Sequence, residues 1–565
     1  MRAGLSGKFK QYIVVAIHIV LSFLWEKAVF RNVGINPSGT IALSNAISDK
    51  AEQIITYLLT HLFAAVMIFY LWKLLFHLFS GFKKEYIIFL ALFSAGALFI
   101  FICWPEVLTG SAGFDDNLVT YSCGVRLTPD YWHGVYSSII YAAMLLVCPF
   151  NFFITLFQWG LFLSVLGYVF FRINGAKAPR GYLTFLVLLL PAALYLASNG
   201  HRMFQFTILV ILYTAVIAMD IYEHRERSVA EIFKLALLGS FISVFRSEGV
   251  IIGALLFGIY LLFRTKSNLK SVIGWIAVFA VLFVIMSLPG KIGDKKYYGK
   301  DYSMINTFDV LKNILNDDSV NLSYDGAEDD LAAITRVAPL EIVRDGGTDG
   351  YRRYNYNIRG HKDINQSGED AASGEAFMQA YRHILRNNLN LYAHSQLNSV
   401  FVAIGVGRVF EVPEYDGETV SLDNWYYCGW DSGVEDFYAS SFTKRWYENK
   451  DRKKIADYVL FFRDKVYDFL KNRKFYVTGA MLLVAFGLAL FVRGAVAFFK
   501  KKDMVKTAVG CMFLTGVVSF FAVCAVMPTS ATIYFIGSLY CLLTLVLIFV
   551  SMEWKGFFAK SKNKE

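Results

Sequence analysis

Charge is what this chain has least of for its length. Only 18% of its 565 residues are Asp, Glu, Lys or Arg, where a soluble domain carries about a quarter. That shortfall excludes an ordinary water-soluble globule. Cysteine is sparse as well: the seven present form no C-x-x-C pair, which excludes a disulfide framework and a thiolate zinc site. The histidines show no metal-binding spacing, and His383 and His394 read as polar surface residues. There is no internal repeat, no heptad, no phosphate-binding glycine loop and no ATP or nucleotide-sugar motif. The net charge of +10 would suit a nucleic-acid binder, but its distribution excludes one. Residues 290–474 hold 25 Lys and Arg against 29 Asp and Glu, and the remainder holds 30 against 16. Most of that excess sits in short loops and tails between apolar runs, which is a topology signal rather than a polyanion site.

What the chain has in abundance is apolar and aromatic surface: 56% hydrophobic residues, 17% aromatic, and a mean hydropathy of +0.45. These totals describe an all-α polytopic membrane protein with many helix faces turned to lipid and its interfaces. Apolar runs mark twelve expected spans, at 11–30, 54–79, 86–104, 151–172, 182–198, 203–222, 230–245, 249–263, 271–289, 475–492, 506–526 and 531–550. The N-terminal run resembles a retained signal-anchor, because no small-residue cleavage pattern follows it. One decision arises at 233–263, where only Arg246-Ser247-Glu248-Gly249 interrupts the run. As one helix it would be about 45 Å long against a core of about 30 Å, so a tight hairpin with that tetrapeptide at its tip is expected.

Orientation follows from the basic loops. Lys83 and Lys84, Arg172, Arg225 and Arg227, Arg264, Arg493 and the lysine-rich tail should all be cytoplasmic, with both chain termini. Alternating spans satisfy this arrangement provided that 134–148, short and followed by Pro149, is an interfacial or re-entrant helix. The expected organisation is N-terminal spans at 1–104, an external loop with interfacial helices at 105–150, and a transmembrane core at 151–289. A mixed extracytoplasmic domain follows at 290–474, then C-terminal spans and a cytoplasmic tail at 475–565. Within 290–474, Phe377, Tyr381, Ile384 and Leu385 recur at helical spacing, and 389–405 is apolar enough to lie along a membrane surface.

This topology brings four features to the external face: the Asp115-Asp116 loop, the Asn199-Gly200-His201-Arg202 turn, the Arg246-Ser247-Glu248 tip and all of 290–474. Acids and arginines at a membrane edge are expensive to place and are functional candidates by default. An ionised Asp can take a proton from a hydroxyl turning nucleophile, or hold a divalent cation. An Arg can grip a phosphate bidentately. Together they point to transfer from a polyprenyl-phosphate donor, where an activated lipid supplies the energy that nucleotides supply inside the cell.

These residues resemble those of the GT-C fold membrane glycosyltransferases. That group includes protein mannosyltransferases, the aminoarabinose transferase of lipid A and the catalytic subunit of oligosaccharyltransferase. Phe114-Asp115-Asp116 looks like their acidic pair in the first long external loop, and Tyr131-Trp132-His133-Gly134 onward resembles their juxtamembrane helices. Arg246-Ser247-Glu248-Gly249 is similar to an Arg-x-Glu-Gly turn between later spans. Residues 377–403 look like the helical stretch before the late spans of bacterial members. The tryptophan-rich sequon-reading motif of oligosaccharyltransferases is absent.

The resemblance implies a sugar transferase that uses a polyprenyl-phosphate-linked donor and an extracytoplasmic glycan, lipid or protein acceptor, at the bilayer and without nucleic acid. Asp115 is then the catalytic acid-base group, with Asp116 supporting it or sharing a divalent cation (Mg or Mn) with it. Arg246, Arg202, His201 and Glu248 form the donor-phosphate side, and His133 the acceptor side. Two other readings stay open: a lipid-linked polysaccharide polymerase or ligase, which works with external Arg and His, and a non-enzymatic transporter or flippase. The topology is tested by placing a cysteine in the 110–130 loop of a cysteine-free variant. An impermeant thiol reagent should label it from outside, and labelling from the cytoplasmic side alone would invert the arrangement.

Overall fold

A computed structural model describes residues 13–14, 16–24, 50–80, 84–103, 120, 134–148, 151–174, 202–264, 268–293, 301–344, 371–403, 414–415, 418–419, 449–451, 453–455, 457–458, 473–501, 503–526 and 532–562. Its helices in chain order are α1 (Lys50–Ser80), α2 (Lys84–Cys103), α3 (Val135–Val147), α4 (Asn151–Asn174), α5 (Arg202–Tyr222), α6 (Val229–Phe245), α7 (Gly249–Phe263) and α8 (Leu269–Gly293). There follow α9 (Asp301–Leu315), α10 (Ala327–Val337), α11 (Leu340–Arg344), α12 (Ala371–Asn387), α13 (Leu389–Ala403), α14 (Arg473–Val496), α15 (Met504–Val526) and α16 (Thr532–Lys562). A π-helical turn, Ala497–Lys501, joins α14 to the loop before α15.

Among the described residues seven helices are long and apolar enough to cross a membrane, namely α1, α4, α5, α8, α14, α15 and α16. The chain is therefore an all-α membrane protein, with fewer full-length spans described than the twelve expected from hydropathy. The difference has identifiable sources. The expected span at 182–198 lies outside the described residues, as do nine of the twenty residues of 11–30. The apolar part of α2, Phe89–Ile102, is short, and α6 and α7 have 17 and 15 residues, below the roughly 20 that a full crossing takes.

α6 and α7 are the expected hairpin, and glycine sets how tightly it closes. A Cβ on Gly249 would overlap the Ile242 carbonyl oxygen, and one on Gly253 would overlap that of Gly239. The two backbones approach each other as only side-chain-free positions allow. The Tyr213 hydroxyl of α5 donates to the Gly253 carbonyl across 3.0 Å and lies against Gly239, locking the hairpin to its neighbour. α6 starts with a capping box: the Ser228 hydroxyl accepts from the Glu231 amide, while Glu231 accepts from the Ser228 amide at 2.9 Å. α5 is the axis of the bundle, buried almost all round and packed by α4, α6, α7 and α16. α8 is at the other extreme, with most of its apolar surface outward, as a lipid-facing helix should be.

α3 is buried on every side. Eleven of its 13 residues are inaccessible, and it packs on α1 and α4. A helix resting on a bilayer surface would keep one face open, so the burial favours the re-entrant form of the expected placement over the interfacial one.

Between α8 and α14 lies a second core, built by Phe308, Leu311, Ile314, Ile334, Val337, Phe377 and Ile384. α12 is the amphipathic helix that the Phe377, Tyr381, Ile384, Leu385 spacing anticipates. Asn388 ties the unit together from inside, accepting from the Asn321 amide at 2.7 Å and donating to the Asn321 carbonyl at 3.1 Å. Among the described residues this unit is helical rather than mixed; the strand content is one minimal antiparallel pairing, β1 (Glu414–Tyr415) with β2 (Glu418–Thr419). α13 packs against α9 and α15, joining the unit to the bundle, while Leu389 and Leu397 stay exposed.

The charged groups of the bundle separate to its two ends. At one end Asp220, with no exposed side-chain surface, is held between Arg172 at 2.6 Å and Arg227, and Arg172 also meets Glu223 at 2.7 Å. Arg264 and the Arg493–Glu553 pair belong to the same end, since Tyr260 feels Arg264 together with Asp220 and Tyr222 feels Arg493 and Glu553. Every basic loop expected on the cytoplasmic face that the structure describes around α5 gathers here. Removing one member of a buried ion cluster strands the others, at a cost of about 3–5 kcal/mol. Asp220→Ala should therefore lower the thermal unfolding midpoint in detergent, whereas Asp503→Ala, at a half-exposed pair with Lys506, should change it little.

Candidate functional site

The opposite end of the bundle is organised by Phe206. This ring lies one turn into α5, so Arg202 is one turn before it on neighbouring helix surface. It stacks on Phe245 with centroids 6.3 Å apart and planes 13° off parallel. It also fits where Gly249 and Gly537 offer no side chain: a Cβ on Gly249 would stand 3.1 Å from the ring, and one on Gly537 would overlap it. α5, the α6–α7 tip and the first turns of α16 are thereby pinned in one layer. Arg246 follows Phe245 directly, so both arginines singled out by sequence sit within about a turn of this stack.

Arg246 caps α6 with extended backbone (φ −151°, ψ 153°), and Glu248 is the residue from which α7 starts. The Arg246 guanidinium pairs with the Glu248 carboxylate, and the Ser247 hydroxyl donates to the same carboxylate at 3.3 Å. The Arg246 and Glu248 side chains are 11% and 3% exposed, so the pair is desolvated and held by a turn that cannot relax. An acid at a helix N-terminus is favourable, because the helix dipole is positive there. Arg202 stands in the described part of α5 at the same end of the bundle. Arginines at this end of an apolar bundle suit an anion such as a phosphate.

α3 reaches the same end. Its cap, Gly134, has φ +98°, a left-handed conformation that favours glycine, and a Cβ there would lie 3.5 Å from the Phe245 carbonyl oxygen. The Tyr136 hydroxyl donates to the Met286 carbonyl of α8 at 2.8 Å. One turn on, Tyr141 is buried, hydrogen-bonded with Gln158 of α4 and within the field of Arg202. Gln205 follows Arg202 by one turn on the same face of α5. It is 4% exposed, and neither of its amide atoms has a hydrogen-bond partner among the described residues. Each such unsatisfied group costs about 1–3 kcal/mol.

Of the residues singled out by sequence, Arg246 and Glu248 are paired, and Arg202 lies about a turn from the Phe206 ring that stacks beside them. Asp115, Asp116, His133 and His201 lie outside the described residues. Among the described residues no group of three His, Cys, Asp or Glu side chains could hold a metal. Tyr141, Gln158 and Gln205 escaped the sequence reading. Their one signal was two glutamines inside apolar runs, which alone does not separate a ligand from a helix–helix contact.

His383 is exposed, as expected of a polar surface residue, and it is also paired. Its Nδ1 lies 3.2 Å from Asp330, whose other oxygen accepts from the Tyr324 hydroxyl at 2.8 Å. Burial and the adjacent Asp330 carboxylate hold the Tyr324 phenol above its ordinary range. The His383 side chain remains 56% exposed. A carboxylate thus orients an accessible imidazole, the arrangement of a general base with its positioning group.

No protein-family model, curated protein or solved structure matches this chain. The site is therefore characterised by its own geometry. If Arg246 and Glu248 act as one unit, the double variant Arg246→Ala/Glu248→Ala should be less destabilised than the two single variants summed. The coupling read from unfolding midpoints should be about 0.5–3 kcal/mol; simple additivity would mean that the pair carries no net interaction.

Proposed function

We propose that the protein is a membrane glycosyltransferase that moves a sugar from a polyprenyl-phosphate donor to an extracytoplasmic acceptor, as its resemblance to the GT-C group implies. The observation that carries this reading is the convergence of Arg202 and Arg246 on the Phe206 layer. Two guanidinium groups at one end of an apolar bundle suit a lipid phosphate. The separation of the Asp220 charge cluster to the other end supports an orientation with that cluster and both termini cytoplasmic and the Arg202 end external.

In this mechanism the acceptor hydroxyl attacks the anomeric carbon, and its proton passes to Asp115. The bond from that carbon to the phosphate oxygen breaks, leaving polyprenyl phosphate with its added charge facing Arg202 and Arg246. His201 completes the phosphate side, Glu248 holds Arg246 in place, Asp116 orients Asp115, and His133 faces the acceptor. If the acidic pair holds Mg or Mn, the ion would supply further charge stabilisation there.

One observation favours the polymerase or ligase reading: the Tyr324–Asp330–His383 chain offers an accessible base in the 290–474 region. A single comparison separates the two. A general base contributes about a hundredfold to ten-thousandfold, so in reconstituted vesicles Asp115→Asn should lose that factor in sugar transfer from polyprenyl phosphate while His383→Gln stays near wild type. The reverse ranking would favour the polymerase or ligase. Substrate movement without covalent product would identify a transporter.

A further inference from the structure

The polar residues Tyr141, Gln158, Arg202 and Gln205 go beyond phosphate binding. Tyr141 of α3 bonds Gln158 of α4 within the field of Arg202, Gln205 follows Arg202 by one turn on α5, and Tyr141, Gln158 and Gln205 are no more than 4% exposed. Lipid offers no partners for such groups, so they are retained where they bond each other or a ligand. Tyr141 and Gln158 bond each other. Gln205 does not join them: its carbonyl oxygen and its amide nitrogen are both unpaired among the described residues.

An anion cannot satisfy Gln205, because a phosphate only accepts hydrogen bonds while the glutamine carbonyl needs a donor. A hydroxyl both donates and accepts, and two neighbouring hydroxyls on a ring can meet both ends of one amide. Gln205 shares its helix face with Arg202. A ligand with phosphate at Arg202 and a polyhydroxylated ring one turn deeper would match both residues.

We propose that Gln205 is a specificity-determining residue that reads the hydroxyl groups of the donor sugar, with Arg202 holding the phosphate to which that sugar is attached. This assignment rests on the glycosyltransferase reading. It makes the sugar, rather than the lipid, the group that selects the donor at this end of the bundle. Tyr141, bonded to Gln158, lies within the field of the Arg202 guanidinium from the α3 side.

The test compares full-length wild type with Gln205→Leu, which keeps the volume and removes both polar atoms. Binding in nanodiscs is measured for three probes: polyprenyl phosphate, polyprenyl-phosphate hexoses (glucose, galactose and mannose), and free methyl hexosides as acceptor mimics. Wild type should prefer one glycosylated lipid over the bare phosphate, and Gln205→Leu should lose about tenfold of that preference, binding bare phosphate as before. Its unfolding midpoint without lipid should be equal or higher, since an unsatisfied buried amide has gone. An unchanged preference in Gln205→Leu, with transfer still active in wild type, overturns the sugar assignment and leaves the function standing. Loss of methyl hexoside binding alone moves Gln205 to the acceptor and overturns the donor assignment. A wild type that binds neither lipid overturns the glycosyltransferase reading and this inference together.

Discussion

The seat of Phe206 is the constraint on which the rest of the site depends. One ring from α5, the most buried of the candidate spans, stacks on Phe245 and occupies space left by Gly249 and Gly537. Three chain segments far apart in sequence are fixed at one depth by that contact. The close approach at Gly249 and Gly253 makes the α6–α7 tip rigid. A rigid tip lets Arg246 and Glu248 remain paired in a nearly solvent-free position, where a flexible loop would let both rehydrate. Rigidity here precedes chemistry.

Electrostatics then divides the bundle into two ends of different character. Around Asp220 the charges neutralise one another, with a buried carboxylate between two arginines and further pairs at the rim. That end pairs its charges and reads as structural. At the Arg202 end the Gln205 amide is buried with neither polar atom hydrogen-bonded among the described residues. A protein surrounded by hydrocarbon tolerates such a deficit where something else supplies the partner. The unpaired amide beside Arg202 makes that end the candidate site.

The helical unit between α8 and α14 follows different rules. Its core is small, and the buried Asn388 amide is fully bonded within it. Its one chemically suggestive feature, His383 backed by Asp330, stands apart from the Phe206 layer in sequence and belongs to a separate core. The two features support different transferase chemistries, which is why the proposed comparison sets them against each other.

The sequence by itself determined the class of solvent, the helical character and the hairpin. Composition and run length are one-dimensional properties, and a 31-residue run (233–263) interrupted by a charged tetrapeptide has few other ways to fit a bilayer. It also determined that Arg202, Arg246 and Glu248 were costly where they stood. What it could not carry was adjacency. Whether Phe206 meets Phe245, whether Gln205 turns inward beside Arg202, and whether His383 finds Asp330 depend on how glycine faces and aromatic rings interlock across helices. Hydropathy records that a residue is buried; only close packing in three dimensions decides against which neighbour. The burial of α3 and the helical make-up of the described part of 290–474 were decided at that level too, because a short apolar helix has the same sequence pattern on a membrane surface as inside a bundle.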